Sequence, residues 1–168
     1  MKIYLAGKIA KDESQSGQVD WRKQFMDLSQ ESDLQILTPE DSSLDEGLPW
    51  VIVGHDALQI SRADVVVIDA RDKIGAGTAQ EMLIAKYFAK PVLTILPKGS
   101  HHRRQNVTLN GQAVAEWIHP FIAVSSDMIV DSIEEMTQRL ADKSWQLHPL
   151  SIDLVERAIE EYLTWLDR

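Results

Sequence analysis

The chain has 168 residues, 44% of them hydrophobic, which suits one domain, or one domain with an arm, around a packed core. A formal net charge of −9 and a pI near 4.9 argue against binding a nucleic-acid polymer through its phosphates. Without cysteine, disulfides, thiolate metal sites and cysteine nucleophiles are excluded. With no apolar run of signal-peptide form or membrane-spanning length, the expectation is a soluble cytoplasmic protein with no membrane partner.

In chain order, Lys2–Ala6 reads as a first strand ending at Gly7, and polar residues 8–18 as a loop. Residues 19–31 read as a helix with Trp21, Phe25 and Leu28 on its apolar face, residues 34–37 as a second strand, and residues 40–49 as an acidic loop. A helix is expected over residues 50–61. Residues 63–70 hold Val65-Val66-Val67-Ile68, a continuous β-branched run that suits a strand buried on both faces of a parallel sheet. The turn Gly75-Ala76-Gly77 leads to a helix expected to start at Thr78, then to a fourth strand over residues 91–96. A short fifth strand is expected over residues 121–125, and amphipathic helices over residues 131–140 and 152–166. The last helix lines up Ile152, Val155, Ile159, Tyr162, Leu163 and Leu166, which suits either core packing or a dimer contact.

Strands alternating with helices predict an α/β fold: a doubly wound, flavodoxin-like, five-stranded parallel sheet of order 2-1-3-4-5 with helices on both faces. The expected division is an α/β domain over residues 1–125 and a C-terminal helical extension over residues 126–168, packed on that domain or on a neighbouring subunit. Residues 98–120 read as a long loop, and loops of that length are often functional or disordered.

Ligands of open α/β sheets bind at the carboxyl edge of the strands, which is where Gly75, Gly77 and Glu81 fall. Thr78-Ala79-Gln80-Glu81 fits a capping box with Thr78 as N-cap, so Glu81 has a structural reading. It has a chemical one as well: glycines let a ligand approach the backbone, and a first-turn carboxylate stays ionised, as a nucleophile at an anomeric carbon must. Asp56 reads either as a solvated helix residue or as a second acid of the crevice. Asp69, at the carboxyl end of its strand, can reach the crevice, whereas Asp64 lies at the other end and Asp72 in the loop. Tyr4 reads either as a core aromatic or as a phenol hydrogen-bonded to a carboxylate. His101-His102-Arg103-Arg104 lacks metal-ligand spacing. It reads either as a solvated loop or as a grip on a phosphate. Gly75-Ala76-Gly77 follows the third strand and is no dinucleotide fingerprint. Gly7-Lys8 is no Walker loop, so no NAD, ATP or other cofactor is expected.

On Ile3-Tyr4-Leu5-Ala6-Gly7, on Asp56 ahead of Ala63-Asp64-Val65-Val66-Val67, and on Gly77-Thr78-Ala79-Gln80-Glu81, the chain resembles the nucleoside 2-deoxyribosyltransferase family. That family includes the related 2'-deoxynucleoside 5'-monophosphate N-hydrolases. Ala85 and Lys90-Pro91-Val92 continue the pattern, which covers the first 97 residues in pieces. The resemblance implies that Glu81 attacks C1′ and forms a glycosyl-enzyme ester, that Asp56 orients the sugar, and that Tyr4 is the family's first-strand tyrosine. The ester then passes to another base or to water. Many transferases carry an aspartate where this chain has Gly75, and the hydrolase branch lacks it. That departure puts base exchange in doubt and leaves cleavage intact. Gly7, Lys8, Asp69, Gly75, Gly77, Thr78, His101, His102 and Arg103 are the expected substrate-binding residues, with the Lys8 and His101–Arg104 positives suited to a 5′-phosphate. The expected partners are a small-molecule nucleoside or nucleotide and other copies of the chain in a homo-oligomer. Two alternatives remain: a cytokinin-type phosphoribohydrolase, whose Pro-Gly-Gly lead-in is absent here, and a non-catalytic nucleotide-binding module.

Overall fold

The structure is a computed structural model, and it describes residues 1–9, 20–29, 34–145 and 149–167. The expected loop over residues 8–18 therefore lies mostly outside the described residues, as do the ends of the first expected helix.

The order of elements is β1 (Lys2–Ala6), α1 (Trp21–Leu28), β2 (Gln35–Leu37), α2 (Pro49–Arg62), β3 (Val65–Asp69), α3 (Ala76–Tyr87) and β4 (Val92–Ile95). Then come β5 (Arg103–Leu109), β6 (Gln112–Ile118), α4 (Pro120–Ser125), β7 (Met128–Val130), α5 (Ile133–Ala141) and α6 (Leu154–Leu166). Five strands form one parallel sheet in the order β2-β1-β3-β4-β7. This is the expected doubly wound order, with β7 in fifth place. β1, β3 and β4 are the central strands. Their Ile3, Leu5, Val65, Val67, Leu93 and Ile95 pack with Trp21 and Phe25 of α1 and with Ile133, Met136 and Leu140 of α5. On the other face Tyr4, Ala6, Val66, Ile68 and Val92 pack with Ile60 of α2, Met82 and Ala85 of α3, and Ile122 of α4. The unbroken β-branched run of β3 is explained by this double burial.

Two expectations are corrected after β4. Residues 121–125 form α4 and not a strand. Pro120 occupies the first helical turn, where its missing N–H costs nothing, and its fixed φ favours helix over strand. The fifth strand is instead Met128–Val130, paired with β4. Residues 98–120 are largely an antiparallel hairpin, β5 with β6, and not a loop. Its turn is Asn110-Gly111, with φ of 50° and 81°, the left-handed pair that a tight two-residue hairpin connection requires.

α6 is anchored by Leu154, which is buried, while Val155, Ile159, Tyr162, Leu163 and Leu166 stand exposed. Within one chain, then, the apolar stripe of this helix does not pack on the core.

Candidate active site

The carboxyl ends of β1 and β3 and the start of α3 meet at one edge of the sheet. α3 begins at Ala76 with Gly75 as its N-cap, and no side chain caps it. The capping box is therefore not made. Thr78 already lies inside the helix and is buried, and Glu81 sits in the second turn, 7% exposed. Gly75 and Gly77 are exposed at the helix entrance, and a Cβ on either would meet nothing within 4 Å.

Freed from capping, the Glu81 carboxylate points to β1. Tyr4 Oη donates to Glu81 Oε1 at 2.6 Å, and both side chains are buried. Burial holds the Glu81 carboxyl above the ordinary glutamate value, and the charge of Asp56 pushes the same way. The Tyr4 hydrogen bond and the positive charge of Arg22 pull it back. Tyr4 is held far above the ordinary tyrosine value, first by burial and then by the charge of Glu81 and the hydrogen bond to it, so the phenol keeps its proton and acts as donor. The sequence argument for an ionised Glu81 relied on the helix dipole. At the second turn that influence has faded, and the Tyr4 hydrogen bond and Arg22 are what favour the charged form against burial.

Asp56 lies on α2, half-buried, and its Oδ1 is 3.1 Å from His55 Nδ1. Burial raises its pKa, and His55 lowers it. Gln59 Nε2 in turn lies 3.2 Å from His55 Nε2, fixing the ring. His55 was not among the expected site residues. Neither was Arg22, which is 2% exposed and gathers the turn after β1. Its Nε donates to Leu5 O at 3.4 Å, Nη2 to Gly7 O at 3.0 Å and Nη1 to Lys8 O at 3.1 Å, and it pairs with Glu40 at 3.3 Å. The sequence signal for Arg22 was its position between Trp21 and Phe25 on the buried face of α1, where an arginine needs internal acceptors.

Gly7 has a steric reason. A Cβ there would stand 3.1 Å from Asp69 Cβ and 3.1 Å from the Trp21 ring. Gly7→Ala should destabilise the fold by about 1–3 kcal/mol through overpacking. Urea denaturation checks this, and an unchanged midpoint would contradict it. Asp69, at the carboxyl end of β3, forms a two-pronged pair with Arg71, at 2.9 and 3.1 Å. Lys8 is exposed beside Gly7.

The basic cluster divides. His102 is buried, and its Nε2 accepts from Ile74 N–H at 3.1 Å, next to the loop that enters α3. The exposed His101 ring packs edge-on against it at 4.6 Å. Arg103 is instead committed: its guanidinium donates to Glu116 Oε1 at 2.7 Å, to Asp131 Oδ1 at 2.7 Å and to Leu96 O at 3.0 Å. Arg104 lies over the Trp117 ring, 5.0 Å from its centroid. Among the described residues, no group of three or more His, Asp or Glu is placed to hold a metal ion, and no helix is long and apolar enough to cross a membrane.

The site thus sits at the carboxyl edge of a doubly wound parallel sheet, and comparison with solved structures places the fold more closely. A 2-deoxyribosyltransferase from the psychrotolerant bacterium Bacillus psychrosaccharolyticus is similar over 89% of this chain and 98% of its own, with a TM-score of 0.57 and 18% identity. A conserved protein from Enterococcus faecalis V583 is similar over 84% and 98%, with a TM-score of 0.56 and 16% identity. A CMP N-glycosidase from Clostridium botulinum covers 84% and 99% at a TM-score of 0.48 and 15% identity. No protein-family model and no curated protein matches the chain. At these identities the likeness to the deoxyribosyltransferase and to the Enterococcus faecalis protein establishes a shared fold.

Proposed function

We propose that the chain is an enzyme that cleaves the N-glycosidic bond of nucleosides or their 5′-monophosphates, with Glu81 as nucleophile. The observation that carries this reading is the buried Tyr4–Glu81 hydrogen bond of 2.6 Å at the carboxyl edge of the sheet. A glutamate that served only to cap or solvate would not be buried against a phenol. Tyr4 occupies one oxygen of Glu81 and leaves the other for C1′. The carboxylate attacks C1′, the bond electrons leave with the base, which takes up a proton, and a glycosyl ester remains on Glu81. Water or a second base then attacks C1′ and releases the carboxylate, so two displacements retain the anomeric configuration. Asp56, held by His55, is placed to accept hydrogen bonds from the sugar hydroxyls. Gly75 and Gly77 leave room for the base. Gly75 offers no carboxylate to a base, which supports water as the acceptor. Lys8 and His101 remain the candidates for a 5′-phosphate, since Arg103 would have to give up two ion pairs. The exposed stripe of α6 fits assembly with further copies of the chain.

The test is a panel of 2′-deoxynucleosides, ribonucleosides and their 5′-monophosphates, incubated with and without a second free base. Free base and sugar or sugar phosphate would support the hydrolase. A new nucleoside would show base exchange. Folded protein inert on the whole panel would contradict the reading.

Tyr4→Phe offers a finer check. Without its donor, Glu81 loses the larger of the two interactions that lower its pKa, so its pKa rises further. The acid limb of kcat/KM should move to higher pH, with activity at neutral pH down by roughly 10- to 100-fold, the loss of a charge-assisted hydrogen bond of about 1.5–3 kcal/mol. An unshifted limb would mean that the phenol does not tune Glu81.

A further inference from the structure

Residues 71–75 carry the chain from β3 to the N-terminus of α3 and so set where Gly75 and Gly77 stand. Among the described residues, two side chains are hydrogen-bonded to the backbone of this segment: Asp69 Oδ1 accepts from Arg71 N–H at 3.2 Å, and His102 Nε2 accepts from Ile74 N–H at 3.1 Å. Ile74 packs against the same apolar cluster as Tyr4 and Met82. His102 stands at the root of the β5–β6 hairpin, where its carbonyl accepts from His119 N–H at 2.9 Å. One imidazole therefore joins the hairpin to the wall of the candidate site.

The bond dictates the tautomer. Because Nε2 accepts, the neutral ring carries its proton on Nδ1. That atom is buried and has no partner among the described residues. A second proton could go only on Nε2, where it would confront the Ile74 N–H as donor against donor. The charged and titratable groups around the ring come from every neighbouring segment. They are Lys73 from the loop, His101 before β5, Arg104 on β5, and His119 at the hairpin exit, its ring 5.6 Å away. All are bases.

We propose that His102 is a positioning residue: its neutral imidazole pins residues 71–75, and with them the entrance to α3, to the hairpin, and a proton on Nε2 releases them. For catalysis this rests on the N-glycosidase reading; the tie itself does not. Burial first, and then the neighbouring bases, hold the imidazole below the ordinary histidine value. The tie is therefore fully made above that ordinary value and is lost as pH falls through the lowered one.

The test reads amide hydrogen exchange at Ile74 in labelled protein without substrate. Protection relative to the intrinsic rate should fall by about tenfold as pH is lowered from about 7.5 through the depressed histidine value, the scale of one lost hydrogen bond, while β3 amides keep theirs. His102→Gln, whose side-chain oxygen can accept the same N–H without titrating, should keep Ile74 protected throughout. Imidazole nitrogen shifts of the wild type require no variant and should show the proton on Nδ1 at neutral pH. A proton on Nε2, Ile74 protection indifferent to pH, or the same pH-dependent loss in His102→Gln would each overturn the proposal. With a substrate in hand, KM should rise on the acid side in the wild type and not in His102→Gln. Exchange needs no turnover, so the tie can hold even if the N-glycosidase reading fails.

Discussion

Glu81→Gln should abolish turnover while leaving a folded protein at least as stable as the wild type. The amide keeps an oxygen to accept from Tyr4, so the 2.6 Å contact survives in outline, but it cannot form an ester at C1′. The expected loss in kcat is on the order of 10³-fold or more, with binding and the remaining site groups supplying the residue. Stability moves the other way because of the direction of the Glu81 shift. The folded-state pKa lies above the ordinary glutamate value. The native protein therefore holds this proton more tightly than the unfolded chain, and stability falls as pH rises from that ordinary value through the raised one. Above the raised value the full cost of an ionised, buried carboxylate is present, and glutamine removes it. Thermal melts at pH near 5 and near 8 should show a gap between variant and wild type that widens with pH. A wild-type rate in Glu81→Gln would exclude covalent catalysis by this residue. A large loss of stability would mean that Glu81 is retained for structure.

Lys86→Met should carry the largest loss of stability. Lys86, in the last turn of α3, is fully buried and paired with Asp127, whose side chain is 3% exposed. Burial lowers the lysine pKa, and Asp127 holds it up. Asp127 Oδ2 also accepts from Val92 N–H at 2.7 Å, and Oδ1 from Leu150 N–H at 2.9 Å. One ion pair thus links α3, the start of β4, the approach to β7 and the segment before α6. Removing the lysine leaves a buried carboxylate without its counter-charge, which costs about 3–5 kcal/mol. The double variant Lys86→Met with Asp127→Asn should recover part of that, because no charge is then stranded. Urea midpoints at constant slope check both. A single variant within about 0.5 kcal/mol of wild type would show that Asp127 finds solvent or another partner.

The central β3–α3–β4 unit was legible because burial on both faces forces a continuous β-branched run, which few other environments tolerate. The boundary of α3 was not. Thr78 and Glu81 satisfy the capping pattern in sequence, yet the exposed Gly75 starts the helix three residues earlier. That shift moves Glu81 from a surface turn to the interior. The hairpin was missed although Asn110-Gly111 is a strong turn signal, since Arg103–Leu109 and Gln112–Ile118 lack the strict alternation of a half-buried strand. Phe121–Ser125 resembled a strand by composition, and the helix-starting role of Pro120 decided otherwise. Tyr4 and Asp56 could be named as candidates from sequence. The hydrogen bond joining Tyr4 to Glu81, 77 positions apart, could be read only from the fold. Arg22 and His55 act through backbone carbonyls and through a neighbour, so they leave no motif.

The most direct test of the central claim is the stereochemistry of solvolysis. A substrate from the panel is turned over in dilute methanol, which traps the sugar as a methyl glycoside that cannot mutarotate. Proton NMR then reads the anomeric configuration. Two displacements through Glu81 predict a β-methyl glycoside, the configuration of the starting nucleoside. An α-methyl glycoside would mean a single displacement by the acceptor, and Glu81 would not be the nucleophile.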